Sequence, residues 1–338
     1  GLEDFGRAVL ETLWAAICEE YPEDAEPPDP LAEEIELHEA QAARLVAGFV
    51  GRTEEKQQLT DYVESESHRA LALTGPAGSG KSALLADWAA KYREAHSDAV
   101  VVMHFVGASP SSTSHIQTMR RIGEELKRQL GLFSELPDKP EGLEEAFRNL
   151  LIEAGEKAQG PVVLVLDGLN QLEDIGGALG LAWVPDYLPA GVRIIASTLE
   201  GAPLEALRRH GAEEFILDAL TPSERKQLVT DFLGEYRKKL SDAQLEALLA
   251  KEATENALYL KVALEELRLF GSFEELSRRI DSLPATVEEL FGQVLDRIEG
   301  DHEGAFPVAE GLALLAASRS GLSERELLEL LGGEVTQL

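Results

Sequence analysis

The chain has 338 residues, 44% of them hydrophobic, which is enough to build cores for two or three domains. Its 62 acidic residues against 31 basic give a net charge of −31, which repels a nucleic-acid backbone and argues against direct nucleic-acid binding. One cysteine, Cys18, excludes an internal disulfide framework and a cysteine-built metal site. No apolar run approaches the roughly 20 residues a bilayer span needs, so a cytoplasmic address and no membrane partner are predicted.

Residues 1–21 place Leu2, Phe5, Val9, Leu10, Leu13, Trp14, Ile17 and Cys18 at three-to-four spacing, predicting an amphipathic helix whose stripe something must cover. A chain that opens directly in a helix reads as a piece of something larger. PEDAEPPDP (22–30) is too rich in proline and acid to stay helical and reads as a linker, after which LAEEIELHEAQAARLVA resumes a helical pattern. From residue 69, β-branched runs alternate with helical stretches, the pattern of a parallel sheet covered on both faces. The predicted strands are RALALT (69–74), AVVVMHFV (99–106), PVVLVLDG (161–168), VRIIAST (192–198) and EFILDAL (214–220). The fold class is therefore α/β, with a five-stranded parallel sheet.

Beyond about 220 the strands stop. Thr221 as N-cap, Pro222 at the first helical position and Glu224 three residues after the cap form a capping box, which opens an all-helical domain. The expected domains are a helical lead-in with its acidic linker (1–47), a nucleotide-binding domain (48–220), a helical domain (221–285) and a small helical module cut short (286–338).

GPAGSGKSA (75–83) satisfies the phosphate-loop spacing between a strand and a helix. Gly75, Pro76, Ala77, Gly78, Ser79 and Gly80 would turn backbone N–H groups toward phosphates, with Ala83 in the helix whose dipole adds to them. Lys81 would reach the β and γ phosphates, and the Ser82 hydroxyl would ligate magnesium. Asp167, closing the apolar strand VVLVLD with another strand between it and the loop, would place a carboxylate beside that ion. This order resembles the additional-strand class of P-loop NTPases. Where a carboxylate commonly orients the attacking water, the chain has Asn170 and Gln171, and an amide holds a water without taking its proton. Glu173 or Asp174 could substitute from a turn further away. Slow hydrolysis is expected. Ser197 and Thr198 end a strand at the ligand edge of the sheet, where their hydroxyls could sense a γ phosphate or simply close the strand. The seven histidines lie without ligand spacing and read as structural or solvated. The polar loop GASPSSTS (107–114) and the basic pairs Arg120-Arg121 and Arg208-Arg209 read as solvated surface.

GFVGR (48–52), GPAGSGKS, LVLDGLNQL, LPAGVRIIAST and ENALYLKVALEELRLFG, in that order, resemble the signal-transduction ATPases with numerous domains, which include the NACHT and apoptosome-type proteins. The wording of MHFVGASPSSTS and WVPDYLPAGVRIIASTLEG is most similar to the branch containing nephrocystin and the telomerase-associated protein. The resemblance implies that Phe49, Val50 and Arg52 lie against adenine. It aligns Asn256, Ala257 and Leu258 with a Gly-x-Pro-Leu motif that brings the helical domain onto the nucleotide, Ala257 replacing the proline. Leu199 stands where relatives carry a sensor arginine, leaving Thr198 as sensor, and residues from 286 would start a winged-helix domain. ATP and ADP with magnesium are the implied ligands. The implied behaviour is a closed ADP state and self-association in the ATP state, with an upstream effector domain and downstream repeats.

Three other readings compete: an origin-recognition-like ATPase gripping DNA, an ordinary fast P-loop ATPase, and a small-molecule kinase. Residues 286–338 carry eleven acidic side chains against Arg297, Arg319 and Arg325, a poor surface for DNA phosphates. No acceptor pocket or catalytic base is identifiable for a kinase.

Overall fold

In a computed structural model the described residues are 14, 29–301, 308–318, 321, 322 and 324–332. The predicted helix over 1–21, except Trp14, and the linker up to residue 28 lie outside them. Helices α1 (Pro30–Val46) and α2 (Thr53–Glu64) precede β1 (Leu71–Thr74) and α3 (Lys81–Ala95). Then come β2 (Val100–Phe105), α4 (His115–Leu130), α5 (Leu143–Lys157), β3 (Val162–Asp167), β4 (Val192–Ser197), α6 (Ala202–Arg209) and β5 (Glu213–Ile216).

All five strands pair in parallel in the order β2-β3-β4-β1-β5. Every residue of β3 and β4 is buried, so neither alternates: VVLVLD is apolar up to its terminal Asp167, and VRIIAS admits Arg193, whose guanidinium donates to the carbonyls of Val192 and Ser65. Alternation reappears as a choice of core. Val162, Leu164 and Leu166 join the cluster under α4, α5 and α6, whereas Val163 and Val165 join the cluster under α1, α2 and α3.

The fifth strand is shorter than its sequence suggests. Leu217 N–H still bonds Thr74 O at 2.8 Å, but β1 ends there and turns into the phosphate loop, so residues 217–220 have no strand left to pair with. Two surface expectations also change. Arg121 is buried, its guanidinium donating to Met103 O at 2.7 and 2.8 Å and to Glu125 at 2.7 Å. In the 107–114 loop Ser109 and Ser112 are buried, and Ser109 and Ser111 donate to Glu34 of α1 at 2.9 and 2.7 Å.

The helical region follows as α7 (Pro222–Glu235), α8 (Asp242–Leu249), α9 (Ala257–Leu267), α10 (Phe273–Ser282), α11 (Val287–Asp301), α12 (Val308–Ala317) and α13 (Glu324–Leu330). The Thr221–Glu224 capping box forms at the start of α7. Tyr259, Leu260, Leu264 and Leu290 are fully buried in one core, so α11 packs with α9 across the expected division at 286. Glu266 of α9 reinforces that contact, accepting from Arg279 of α10 at 2.9 Å and from Arg297 of α11 at 2.7 and 2.9 Å.

Candidate functional site

The phosphate loop leaves β1 through Gly75, whose φ of +141° no L side chain adopts easily, and a Cβ there would lie 2.6 Å from Leu217 O. Gly78, at φ +75°, passes so close under α9 that a Cβ would meet Asn256 Oδ1 at 2.7 Å and Leu258 Cβ at 2.9 Å. The loop then becomes the uncapped N-terminus of α3, with no side chain satisfying its first-turn N–H groups. Ser79 Oγ is buried without a partner among the described residues. Lys81 folds over the loop, donating to Gly75 O at 2.8 Å and Pro76 O at 2.9 Å. Burial pulls its pKa down from the ordinary lysine value, an effect Asp167 opposes. Orphaned N–H groups, an unpartnered hydroxyl and an ammonium converging on one helix start are the donor set a polyphosphate takes.

Asp167 lies at the end of β3, 6% exposed, and burial pushes its carboxyl pKa up against hydrogen bonds from Ser197 and Ser82 and the charge of Lys81. Ser197 Oγ donates to Asp167 Oδ1 at 2.5 Å and accepts from Gly168 N–H at 2.9 Å. The hydroxyl of Ser82 and the carboxylate of Asp167 supply the hard oxygen atoms that magnesium prefers, the remaining positions falling to phosphate and water.

Thr198, expected as the sensor, is fully buried and donates to Leu199 O at 3.1 Å, so the strand-end hydroxyl reaching the carboxylate belongs to Ser197. Asn170 is exposed in a 3-10 turn (Leu169–Gln171), its Oδ1 accepting from Leu199 N–H at 3.3 Å. Glu173 is drawn toward the 107–114 loop, accepting from Thr113 Oγ1 at 3.3 Å.

A cavity of about 360 Å³ extends from the loop. Gly78, Ser79, Gly80, Lys81, Ser82 and Ala83 form one end, and Phe49, Val50, Arg52 and Leu258 form walls. Gly75, Pro76 and Ala77 instead face a second opening, beside Leu199, Glu200 and Ile216. Arg52 lines the first cavity, and its buried guanidinium reaches Glu55 at 2.7 Å, Asp218 O at 2.7 Å and Glu224 at 3.6 Å. Arg52 thus ties the start of α2 to the end of the sheet and to α7.

Sequence reasoning missed the rest of the wall: Arg44 and Leu45 from α1, Leu220 and Leu228 around α7, and Lys261 from α9. It also missed how α9 is held. Asn256 Nδ2 donates to Ala77 O at 2.8 Å, and Leu258 N–H donates to Gly78 O at 2.9 Å. Asn256 before ALYLKVALEEL is a readable N-cap, but nothing local shows what the cap touches. Among the described residues no group of three or more histidine, cysteine or carboxylate side chains could hold a metal ion, and no helix is long and apolar enough to cross a membrane.

A phosphate loop, a buried carboxylate one strand away and a helical region resting on the loop define a P-loop ATPase. Residues 48–195 match the AAA ATPase domain, so this stretch is a P-loop ATPase domain, and over most of its length the chain is similar to NACHT-domain proteins. It is 31% identical to telomerase protein component 1 of Mus musculus over 98% of this chain and 13% of that protein. It is 30% identical to NACHT domain- and WD repeat-containing protein 1 of Mus musculus, over 89% of this chain and 20% of that one. Against nephrocystin-3 of Homo sapiens it is 27% identical, over 88% of this chain and 23% of that protein. The chain thus spans less than a quarter of each of these relatives.

Proposed function

We propose that the chain is a nucleotide-controlled switch that binds ATP or ADP with magnesium and hydrolyses ATP slowly. The observation that carries this reading is the pair of hydrogen bonds from Asn256 and Leu258 to the phosphate loop. Because the helical region forms a wall of the same cavity as the loop, the contents of that cavity bear on where the region rests. Phosphates would lie on Gly78–Ser82 with Lys81, the base among Phe49, Val50 and Leu258, and magnesium between Ser82 and Asp167. Slow hydrolysis follows from an amide, Asn170, at the position of the usual carboxylate, with Glu173 turned to Thr113. Exchange of ADP for ATP would release the helical region and expose surfaces for self-association. By analogy with the NACHT and WD-repeat relatives, an effector domain upstream and repeats downstream would complete the device in the cytoplasm.

The test is to denature the purified chain and identify the released nucleotide by chromatography, with Lys81→Ala as control. Near-stoichiometric ADP, lost in the variant, supports a locked switch. An empty site that turns over added ATP well above about one per second, the low end of ordinary enzyme rates, overturns it.

A further inference from the structure

We propose that Ser197 is a positioning residue for Asp167, fixing that carboxylate so that it can hold a divalent cation beside Ser82. The proposal rests on the nucleotide-binding reading above. The parallel register pairs Leu166 with Ala196, so the next residues, Asp167 and Ser197, fall side by side at the ends of β3 and β4. There the Ser197 oxygen accepts the Gly168 N–H at 2.9 Å. Its proton points the other way and is given to Asp167 Oδ1 at 2.5 Å. The hydroxyl's one proton is committed to Asp167, which leaves it no donor with which to sense a γ phosphate.

The turn after β3, the end of β4 and the carboxylate are therefore locked into one unit. The neighbouring hydroxyl, Thr198, cannot take over, since it is fully buried and bonded to Leu199 O. A carboxylate with one oxygen tied in this way presents the other in a single orientation, and Ser82 lies near enough to help hold its charge. Groups that orient a metal-binding carboxylate from behind typically contribute 10-fold to 100-fold to metal affinity. Ser197 lines neither of the two cavities beside the phosphate loop, so its removal should weaken the ion's hold and spare the nucleotide's.

The experiment measures affinity for a fluorescent ADP analogue on the full chain, in EDTA and across a magnesium titration, with no turnover involved. Ser197→Ala is expected to bind as the unaltered chain does in EDTA, yet to need roughly 10-fold more magnesium for the magnesium-dependent gain. Ser197→Thr, which keeps the hydroxyl, should restore the original requirement, and Asp167→Asn should abolish the gain. If Ser197→Ala folds poorly by circular dichroism, Ser197→Cys, with a weaker donor, should show an intermediate requirement. An unchanged magnesium requirement, or an equal loss of affinity with and without magnesium, overturns the proposal. An unaltered chain that binds the analogue but ignores magnesium overturns it while sparing the nucleotide-binding reading; one that binds no analogue overturns both.

Discussion

The side-chain amide of Asn256 and the carbonyl of Ala77, 179 positions apart in the chain, are joined by a 2.8 Å hydrogen bond that sets α9 on the phosphate loop. The same side chain caps α9, its Oδ1 accepting from Leu258 N–H at 3.0 Å and Tyr259 N–H at 3.2 Å. Two substitutions separate the roles. Asn256→Asp keeps the cap but turns a carboxylate toward a carbonyl, whereas Asn256→Ala loses cap and contact together. The Asp variant should melt near the unaltered chain and the Ala variant about 1 kcal/mol below it. Both should release a fluorescent ADP analogue faster in stopped-flow; release at the original rate from the Asp variant would show that the contact does not retain nucleotide.

Glu266 carries the next prediction, because it holds α10 and α11 to the helix that rests on the loop. Burial alone would raise its carboxyl pKa, but hydrogen bonds from Arg297 and Arg279 outweigh burial and hold it below the ordinary range. A carboxyl depressed in the folded state adds stability above its unfolded pKa of about 4.3, and that contribution fades as pH falls through and below this value. Glu266→Gln should destabilise the helical region by about 2 kcal/mol, less than a fully buried pair would lose because both arginines are partly exposed. Urea unfolding at pH 7 measures the loss. The gap between variant and unaltered chain should close below pH 4.

His38 and His104 set a second acid limit, at a different pH. Burial first, and then the charge of Arg121, push His38 down to about 2 and His104 down to about 3. His38 Nδ1 accepts from Phe105 N–H at 3.1 Å, which a protonated ring could not do. His104 Nε2 lies 3.0 Å from both Ser112 O and Thr118 Oγ1. Glu34 stands 4.0 Å from His38, and Arg121 pairs with Glu125 beneath them. Both rings are neutral when folded and take protons on unfolding below about pH 6.5, so their contribution is complete above that value and lost as pH falls. Each should remove about 2 kcal/mol between pH 7 and pH 5. His38→Gln, which keeps an acceptor for Phe105, should halve the two rings' share of the pH dependence in that window; an unchanged slope would mean that His38 is protonated in the fold.

Much of this architecture is legible in the chain because parallel strands buried on both faces carry no alternation to misread: VVLVLD stands out as an apolar block, and VRIIAS is β-branched and apolar around the single charge of Arg193. The phosphate loop is legible for a related reason: its glycines answer to backbone geometry within a few residues. What sequence reasoning could not place are contacts made across long separations. Arg121 reads as surface beside Arg120, yet it is sealed in by Met103 O and Glu125. Ser197 and Thr198 are chemically near-equivalent neighbours, and only the β3–β4 register decides which of them meets Asp167. Besides Phe49 and Val50, the apolar wall of the cavity draws Leu45, Leu228 and Leu258 from α1, α7 and α9, three helices whose stripes each predict burial without saying against what.

Asn170 provides the sharpest test of why hydrolysis should be slow. Its Oδ1 accepts from Leu199 N–H at 3.3 Å, and the side chain is otherwise exposed at the turn after Asp167. An aspartate there keeps an acceptor for Leu199 while adding a group able to take a proton from water. General-base catalysis is worth about 100-fold or more where geometry is good. Asn170→Asp should therefore raise steady-state ATP turnover by at least about 10-fold, allowing for imperfect placement, without changing affinity for ADP. Asn170→Ala, which also loses the Leu199 contact, should not accelerate turnover. If the Asp variant is no faster, the missing base does not limit the reaction, and the barrier lies instead in releasing α9 from the loop, where Asn256→Asp should then be the faster enzyme.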